Sequence, residues 1–251
     1  MGDVLGEEEA LSRLLGTARA VLFDFDGPVT DLFRGVSTAP VADEIKEAVR
    51  RHWGALDPDV EDCDDSHGVL LRVRDMLDRP ASPPRDRAAL DLAEAIVTRH
   101  EYEIVRTASP TPHLGALVEA LLGLGMRLVI VSNNADGPVC EFLKSFDLQS
   151  KFEAVMGRDP KELRHMKPSP ESVNRAVEHL ALAPDECVLI GDQLTDLSAA
   201  RAAGTRFIGC TRSPERAAEM MRRGADRVVS SLAPLVNAAK SHAPESPADP
   251  N

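Results

Sequence analysis

Two acids stand in Asp24-Phe25-Asp26-Gly27, directly behind the apolar run Ala20-Val21-Leu22-Phe23. On an extended backbone their carboxylates leave the same side. A third acid, Asp192, follows another apolar run, Cys187-Val188-Leu189-Ile190, and Asp196 comes soon after it. Clustered carboxylates repel unless a cation sits among them. An all-oxygen set without His or Cys selects a hard ion, and one that must also hold phosphate oxygens selects Mg²⁺. Ser132 can donate a hydrogen bond, and Lys167 a positive charge, to a phosphoryl group held by that ion. Such a set contains a nucleophile, an acid/base, a metal site and a phosphate clamp, which is the chemistry of phosphoryl transfer.

These residues need a scaffold that brings them together. Ala20 to Phe23 reads as a buried strand entering a loop at Gly27-Pro28. Apolar spacing predicts a helix over 113–124, stopped by Gly123 and Gly125 before the strand Leu128-Val129-Ile130-Val131. The alternation continues with a helix over 136–146, a strand at 152–156, a helix capped by Ser169 with Pro170 as its first residue, and a strand at 187–190. A helix over 194–203 ended by Gly204, a strand at 206–209, a helix over 214–223 and a short strand at 227–229 follow. Regular alternation predicts an α/β fold, a Rossmann-like doubly wound parallel sheet with both faces covered. Its ligands bind at the carboxyl ends of the strands, where the acids and Ser132 fall.

The stretch 33–108 interrupts this pattern with helical spacing over 41–53, 69–77 and 87–105 and no buried strand, so it reads as an inserted α-helical cap domain. The core would then comprise 1–32 and 109–240, with a disordered tail at 241–251 marked by Pro244, Pro247 and Pro250. The acidic patch from Asp57 to Asp65 and the prolines at 80, 83 and 84 read as a solvated loop and a turn.

Composition closes off other classes. With 43% hydrophobic and 28% charged residues the chain has material for a globular core and too much charge for a membrane protein. A net charge of −12 repels a phosphate backbone and excludes nucleic acid as the main partner, while leaving room for a small anionic ester in a local cationic pocket. The four cysteines form no CxxC pair, which points to a reducing, cytoplasmic setting, and no targeting signal is visible. The histidines show no HxH or HExxH spacing for zinc.

Taken in order, Asp24-x-Asp26, Ser132, Lys167 and Gly191-Asp192 with Asp196 resemble the four motifs of the haloacid dehalogenase superfamily. The resemblance covers about 18–235, and the insertion after the first motif is similar to the family's helical type 1 cap, as in phosphoglycolate phosphatase-like members. It implies hydrolysis of a small phosphorylated metabolite. Asp24 would be the nucleophile forming an aspartyl-phosphate, and Asp26 the acid that protonates the leaving alcohol and then activates water. Mg²⁺ would be held by Asp24, Asp192 and the backbone carbonyl of Asp26, with Asp196 in support. Ser132, the amide of Asn133 and Lys167 would bind the phosphate. Pro28 departs from the Thr found there in many members, and implies a stiffer loop after Asp26.

Each piece alone has an ordinary reading: an acid at a strand end is often a turn or cap residue, and Lys-Pro is common on surfaces. Two acids abutting so apolar a strand cost desolvation without a partner, which tilts the set toward function. Two alternatives share the fold: a phosphosugar mutase, handing the phosphoryl group to a second hydroxyl, and a non-catalytic member that binds a phospho-ligand. Hydrolytic dehalogenation ranks lower, because halide needs neither a second acid nor a metal. Within the cap, Arg34, His52, Trp53, His67, Arg72, Arg74, Tyr102 and Arg106 could face the site, and for each the packing reading is preferred.

Overall fold

A computed structural model describes residues 2–33 and 37–241. Among these the strands are β1 (Ala20–Phe23), β2 (Arg127–Val131), β3 (Ala154–Met156), β4 (Cys187–Gly191), β5 (Arg206–Cys210) and β6 (Arg227–Val229). They form one parallel sheet in the order β3-β2-β1-β4-β5-β6. Every residue of β1 and β4 is buried, as a run apolar on both faces requires when helices cover both. Val21, Phe23, Leu128, Ile130, Val188 and Ile190 point into one core, and Ala20, Leu22, Val129, Val131 and Leu189 into the other.

The helices are α1 (Gly2–Gly16), α2 (Ala39–Trp53), α3 (Pro58–Glu61), α4 (Ser66–Asp78), α5 (Ala88–Val105), α6 (Leu114–Gly123), α7 (Asp136–Ser145), α8 (Glu171–Leu180), α9 (Leu194–Ala203), α10 (Pro214–Arg222) and α11 (Ala233–Lys240). The first core is closed by α1, α6, α7 and α11, the second by α8 and α9. The inserted α2 to α5 surround a third apolar cluster containing Ile45, Val49, Leu70, Val73, Met76 and Leu90. Among the described residues no helix is long and apolar enough to cross a membrane.

Differences from the expected elements have local causes. Helix α8 starts at Glu171 with Pro170 in the cap position, one residue later than expected, and Ser169 Oγ meets the backbone N–H of Glu171 at 3.4 Å. Helices α1 and α11 were not anticipated; they pack together, burying Leu11 and Leu15 with Leu235 and Ala239. The acidic patch is less free than its composition suggests. Arg79 reaches Asp57 and Asp59, Arg50 pairs with Glu61, and Asp65 caps α4 by accepting from Gly68 N at 2.5 Å. Ser241 ends α11, and 242–251 lie outside the described residues.

The topology aligns the strand ends. β1 lies between β2 and β4, with Phe23 level with both Ile130 and Ile190, so Asp24, Ser132 and Asp192 emerge side by side. This is the point where strand order reverses, the usual crevice of a doubly wound sheet. Lys167 arrives differently. The connection from β3 to α8 threads through the cap's apolar cluster, where Leu163 and Met166 are buried, before it reaches Lys167.

That anchoring predicts that Leu163→Ala, which empties a fully buried position, destabilises the protein by about 2–5 kcal/mol. Urea unfolding of the variant beside the wild type checks it, and a change under about 0.5 kcal/mol, the size of an ordinary surface substitution, would count against the anchoring.

Candidate active site

Lys167 organises the strand ends. Its ammonium donates to Asp24 Oδ1 at 2.6 Å and to the carbonyl of Val131 at 3.2 Å, and lies 2.7 Å from Asp196 Oδ1. All three side chains are buried. Burial disfavours the charged amine, but the Asp196 and Asp24 carboxylates outweigh it and push the lysine pKa up, so it stays protonated.

The acids answer to different neighbours. Asp24 Oδ1 also accepts from the Phe25 amide at 2.8 Å. Its pKa is well above the carboxylate range because burial, then the nearby Asp196, outweigh Lys167. Asp192 is pushed up to about 7 by burial, with Asp196 and Asp26 adding repulsion and Arg216 opposing it. Asp26 faces the other way: its Oδ1 accepts from Leu32 N at 2.7 Å, and burial carries it to about 6.

Two glycines permit this crowding. A Cβ on Gly191 would come within 2.6 Å of the Asp196 carboxylate, and one on Gly27 within 2.7 Å of Asp192 Oδ1. Gly27 also adopts a φ of +103°, costly for other residues. Around it Gly27 N donates to Thr30 O at 2.6 Å and Thr30 N to Phe25 O at 3.1 Å, and the buried Pro28 sits in the turn between these bonds.

Of the expected phosphate binders, Asn133 clamps the lysine: its side chain accepts from Lys167 N at 2.7 Å and donates to Lys167 O at 3.1 Å. Ser132 is buried and turned to its own loop, donating to Asn134 Oδ1 and accepting from Asn134 N, each at 3.0 Å. The other named residues, Asp24, Asp26, Asn133, Lys167, Asp192 and Asp196, line one cavity of about 520 Å³ together with Asn134 and cap residues. Ser132 is not part of that lining.

The model of the haloacid dehalogenase-like hydrolase family matches residues 21–210. The chain belongs to this family. It is similar to a phosphoglycolate phosphatase of Thiobacillus denitrificans, 29% identical over 86% of this chain and 92% of that one. Another phosphoglycolate phosphatase, from Salmonella typhimurium, is 32% identical over 78% and 82%. Among solved structures, a predicted phosphatase from Clostridium acetobutylicum shares the fold with a TM-score of 0.64 and 19% identity, covering 89% of this chain and 99% of that one. CbbY from Rhodobacter sphaeroides, in complex with phosphate, has a TM-score of 0.57 and 22% identity over 86% and 95%.

In this dehalogenase-like hydrolase the strand ends fit a hard divalent cation. One oxygen from each of Asp24, Asp192 and Asp196 lies within 4.8 Å of the others, the donors are all oxygen, and the buried ammonium of Lys167 contacts two of these carboxylates while the half-exposed Arg216 lies 3.5 Å from the third. The raised acids reflect burial first and their mutual repulsion second.

The cap candidates separate cleanly. His67, from the first turn of α4, lines the cavity; Thr38, Asp65 and Ser66 join it there without having been anticipated. The rest are engaged elsewhere. His52 bonds Ala48 O, Trp53 donates to Asp86 O, Arg72 reaches Cys63 Sγ, Arg74 pairs with Asp78 and Arg106 with Glu141. Tyr102 packs against Gly137, and Arg34 lies outside the described residues. Glu101 and Arg158, also unanticipated, form a buried pair at 2.6 Å behind His67.

The raised acids make a prediction about stability. Asp24, Asp26 and Asp192 titrate higher when folded than their ordinary value of 3.8, so the metal-free folded protein holds extra protons and gains stability as pH falls from about 7 toward 4. Mg²⁺ seated among these acids would compete with those protons. Its upward shift of Tm is therefore larger at pH 7.5 than at pH 5.5, and Asp192→Asn raises the metal-free Tm by roughly 2–4 °C, about 1 kcal/mol, while removing most of the Mg²⁺ effect. Calorimetry at both pH values decides; equal Mg²⁺ shifts would contradict the assignment.

Proposed function

We propose that this phosphoric monoester hydrolase cleaves a small-molecule phosphate monoester, with Mg²⁺ and through an aspartyl-phosphate on Asp24. The observation that carries this reading is the Asp24 carboxylate at the cavity wall, one oxygen fixed by Lys167 and Phe25 N, with a second, protonatable carboxylate at Asp26 in the same cavity. The phosphoglycolate phosphatase relatives support the ester class.

Asp24, Asp192 and the Asp26 carbonyl would hold Mg²⁺, with Asp196 as support. When bound, the ion supplies charge neutralisation between carboxylates and phosphate oxygens. Asp24 attacks phosphorus with its free oxygen, Oδ2. As the bond from phosphorus to the ester oxygen breaks, Asp26 delivers its proton to that oxygen and the alcohol leaves. Asp26, now ionised, takes a proton from water whose oxygen attacks the aspartyl-phosphate, freeing phosphate and regenerating both acids. A carboxyl near 6 is partly protonated around neutrality, which suits both roles.

Lys167 meets phosphate oxygens while held by Asp24 and Asp196, and Asn133 fixes its backbone. Ser132 binds phosphate by turning its hydrogen away from Asn134 Oδ1. The free thiols fit a reducing, cytoplasmic setting.

Phosphate release from 2-phosphoglycolate, glycerol 3-phosphate, sugar phosphates and nucleotides, with and without chelator, tests the proposal. Turnover is expected with Mg²⁺ and lost with chelator, and Asp24→Asn lowers kcat by about 10³-fold or more. Isomerised sugar phosphate without free phosphate would decide for a mutase, and metal-independent ligand binding with no turnover for a binding protein.

A further inference from the structure

Behind the cavity wall lies a buried charge network that the hydrolytic steps do not use. Glu101 of α5 is 2% exposed and Arg158, just after β3, is 4% exposed. Arg158 Nη1 donates to Glu101 Oε1 at 2.6 Å and to the Asn133 carbonyl at 2.8 Å, and its Nη2 reaches Glu94 at 3.0 Å and Thr98 at 2.8 Å. Glu101 Oε2 accepts from Ala135 N at 3.0 Å. Cap and core thus share one network, and it continues to His67, whose Nε2 lies 3.0 Å from Glu101 Oε1.

Desolvation works against an ionised Glu101, but the bond from His67 and the charge of Arg158 overcome it and hold the carboxyl below its usual range. An ionised carboxylate only accepts, so the hydrogen on His67 sits on Nε2. This fixes the ring and leaves Nδ1 as the nitrogen open to a ligand in the cavity. His67 faces that cavity from the cap, across from the core's Asp24 and Asp26. Phosphate is met on the core side, so the cap wall meets the other half of the ester.

Resting on the phosphatase reading, we propose that His67 is a specificity-determining residue that hydrogen-bonds an oxygen substituent on the alcohol half of the substrate, with Glu101 and Arg158 as the residues that position it. Nδ1, carrying no hydrogen, accepts, so the substrates are phosphate esters carrying a hydroxyl close to the ester carbon. Simple alkyl phosphates gain nothing from the contact. Thr38 and Ser66 on the same wall add hydroxyl partners for such a substituent.

Steady-state kinetics of His67→Ala with three esters test this: glycerol 3-phosphate, which offers a hydroxyl, 2-phosphoglycolate, which offers a carboxylate, and ethyl phosphate, which offers neither. Loss of this hydrogen bond raises KM about tenfold for glycerol 3-phosphate and leaves 2-phosphoglycolate, whose ionised carboxylate has no hydrogen to give, within about threefold; the reverse pattern would overturn the accepting role of Nδ1. Ethyl phosphate kinetics, kcat, and inhibition by inorganic phosphate stay within about threefold of wild type by the same reasoning. His67→Gln, which keeps a donor toward Glu101, serves if the alanine variant does not fold, with the same pattern expected. Equal losses on all three esters would assign His67 a purely structural part, and no change on any would remove it from the substrate. Wild-type turnover of ethyl phosphate abolished by chelator is the separate check on the phosphatase reading; without turnover of any ester both proposals fall.

Discussion

A single buried ammonium between two buried carboxylates sets the terms for the rest of this molecule. Lys167 could not be taken out of water without Asp24 and Asp196, nor they without it. The balance is incomplete, because Asp192 makes a third carboxylate beside one lysine. A structural ion pair would be closed by neutral or opposite groups. Here, among the described residues, Asp192 is answered at 3.5 Å by the half-exposed Arg216 rather than by a second buried cation, and the two glycines at 27 and 191 keep the space that larger residues would fill. Repulsion among carboxylates held this close is what a divalent ion entering there would relieve.

The sheet supplies three of the positions at low cost, since parallel neighbours end level and their loops open on one side. Lys167 is the exception. Its approach runs through the cap: Arg158 joins the Glu101 network, Leu163 and Met166 enter the cap's apolar cluster, and Arg164 pairs with Asp75 and Asp78 of α4. The segment that delivers Lys167 is therefore held by the cap, which lines the same cavity. Packing in the cap and charge placement in the core are one mechanical problem here.

Legibility in the sequence follows the range of the forces involved. Strands and helices of the sheet could be read because burial on two faces leaves continuous apolar runs, and the acids could be read because they end those runs. Helix α1 hid behind consecutive glutamates that precede its buried Leu11 and Leu15, and α11 is too short for its spacing to stand out. The orientation of Ser132 depends on Asn134, a matter of rotamers rather than residue types. Glu101 and Arg158 were invisible for another reason. They are 57 positions apart, and either one alone looks like a solvated helix or loop charge.

Asp24 and Asp26 show how far identical side chains can be separated by their surroundings. Both are raised by burial, and both lie in one turn of chain. Asp24 lies against Lys167 among other carboxylates, where any cation that enters favours its ionised form. Asp26 points instead to the amides at the base of the cap, where the Leu32 N–H opposes the effect of its burial, and its pKa is carried to about 6. The alternation of an extended chain would have put both carboxylates on one side. Instead Asp24 meets the core cation and Asp26 the Leu32 amide, in a loop whose turn runs on through Gly27 to Thr30.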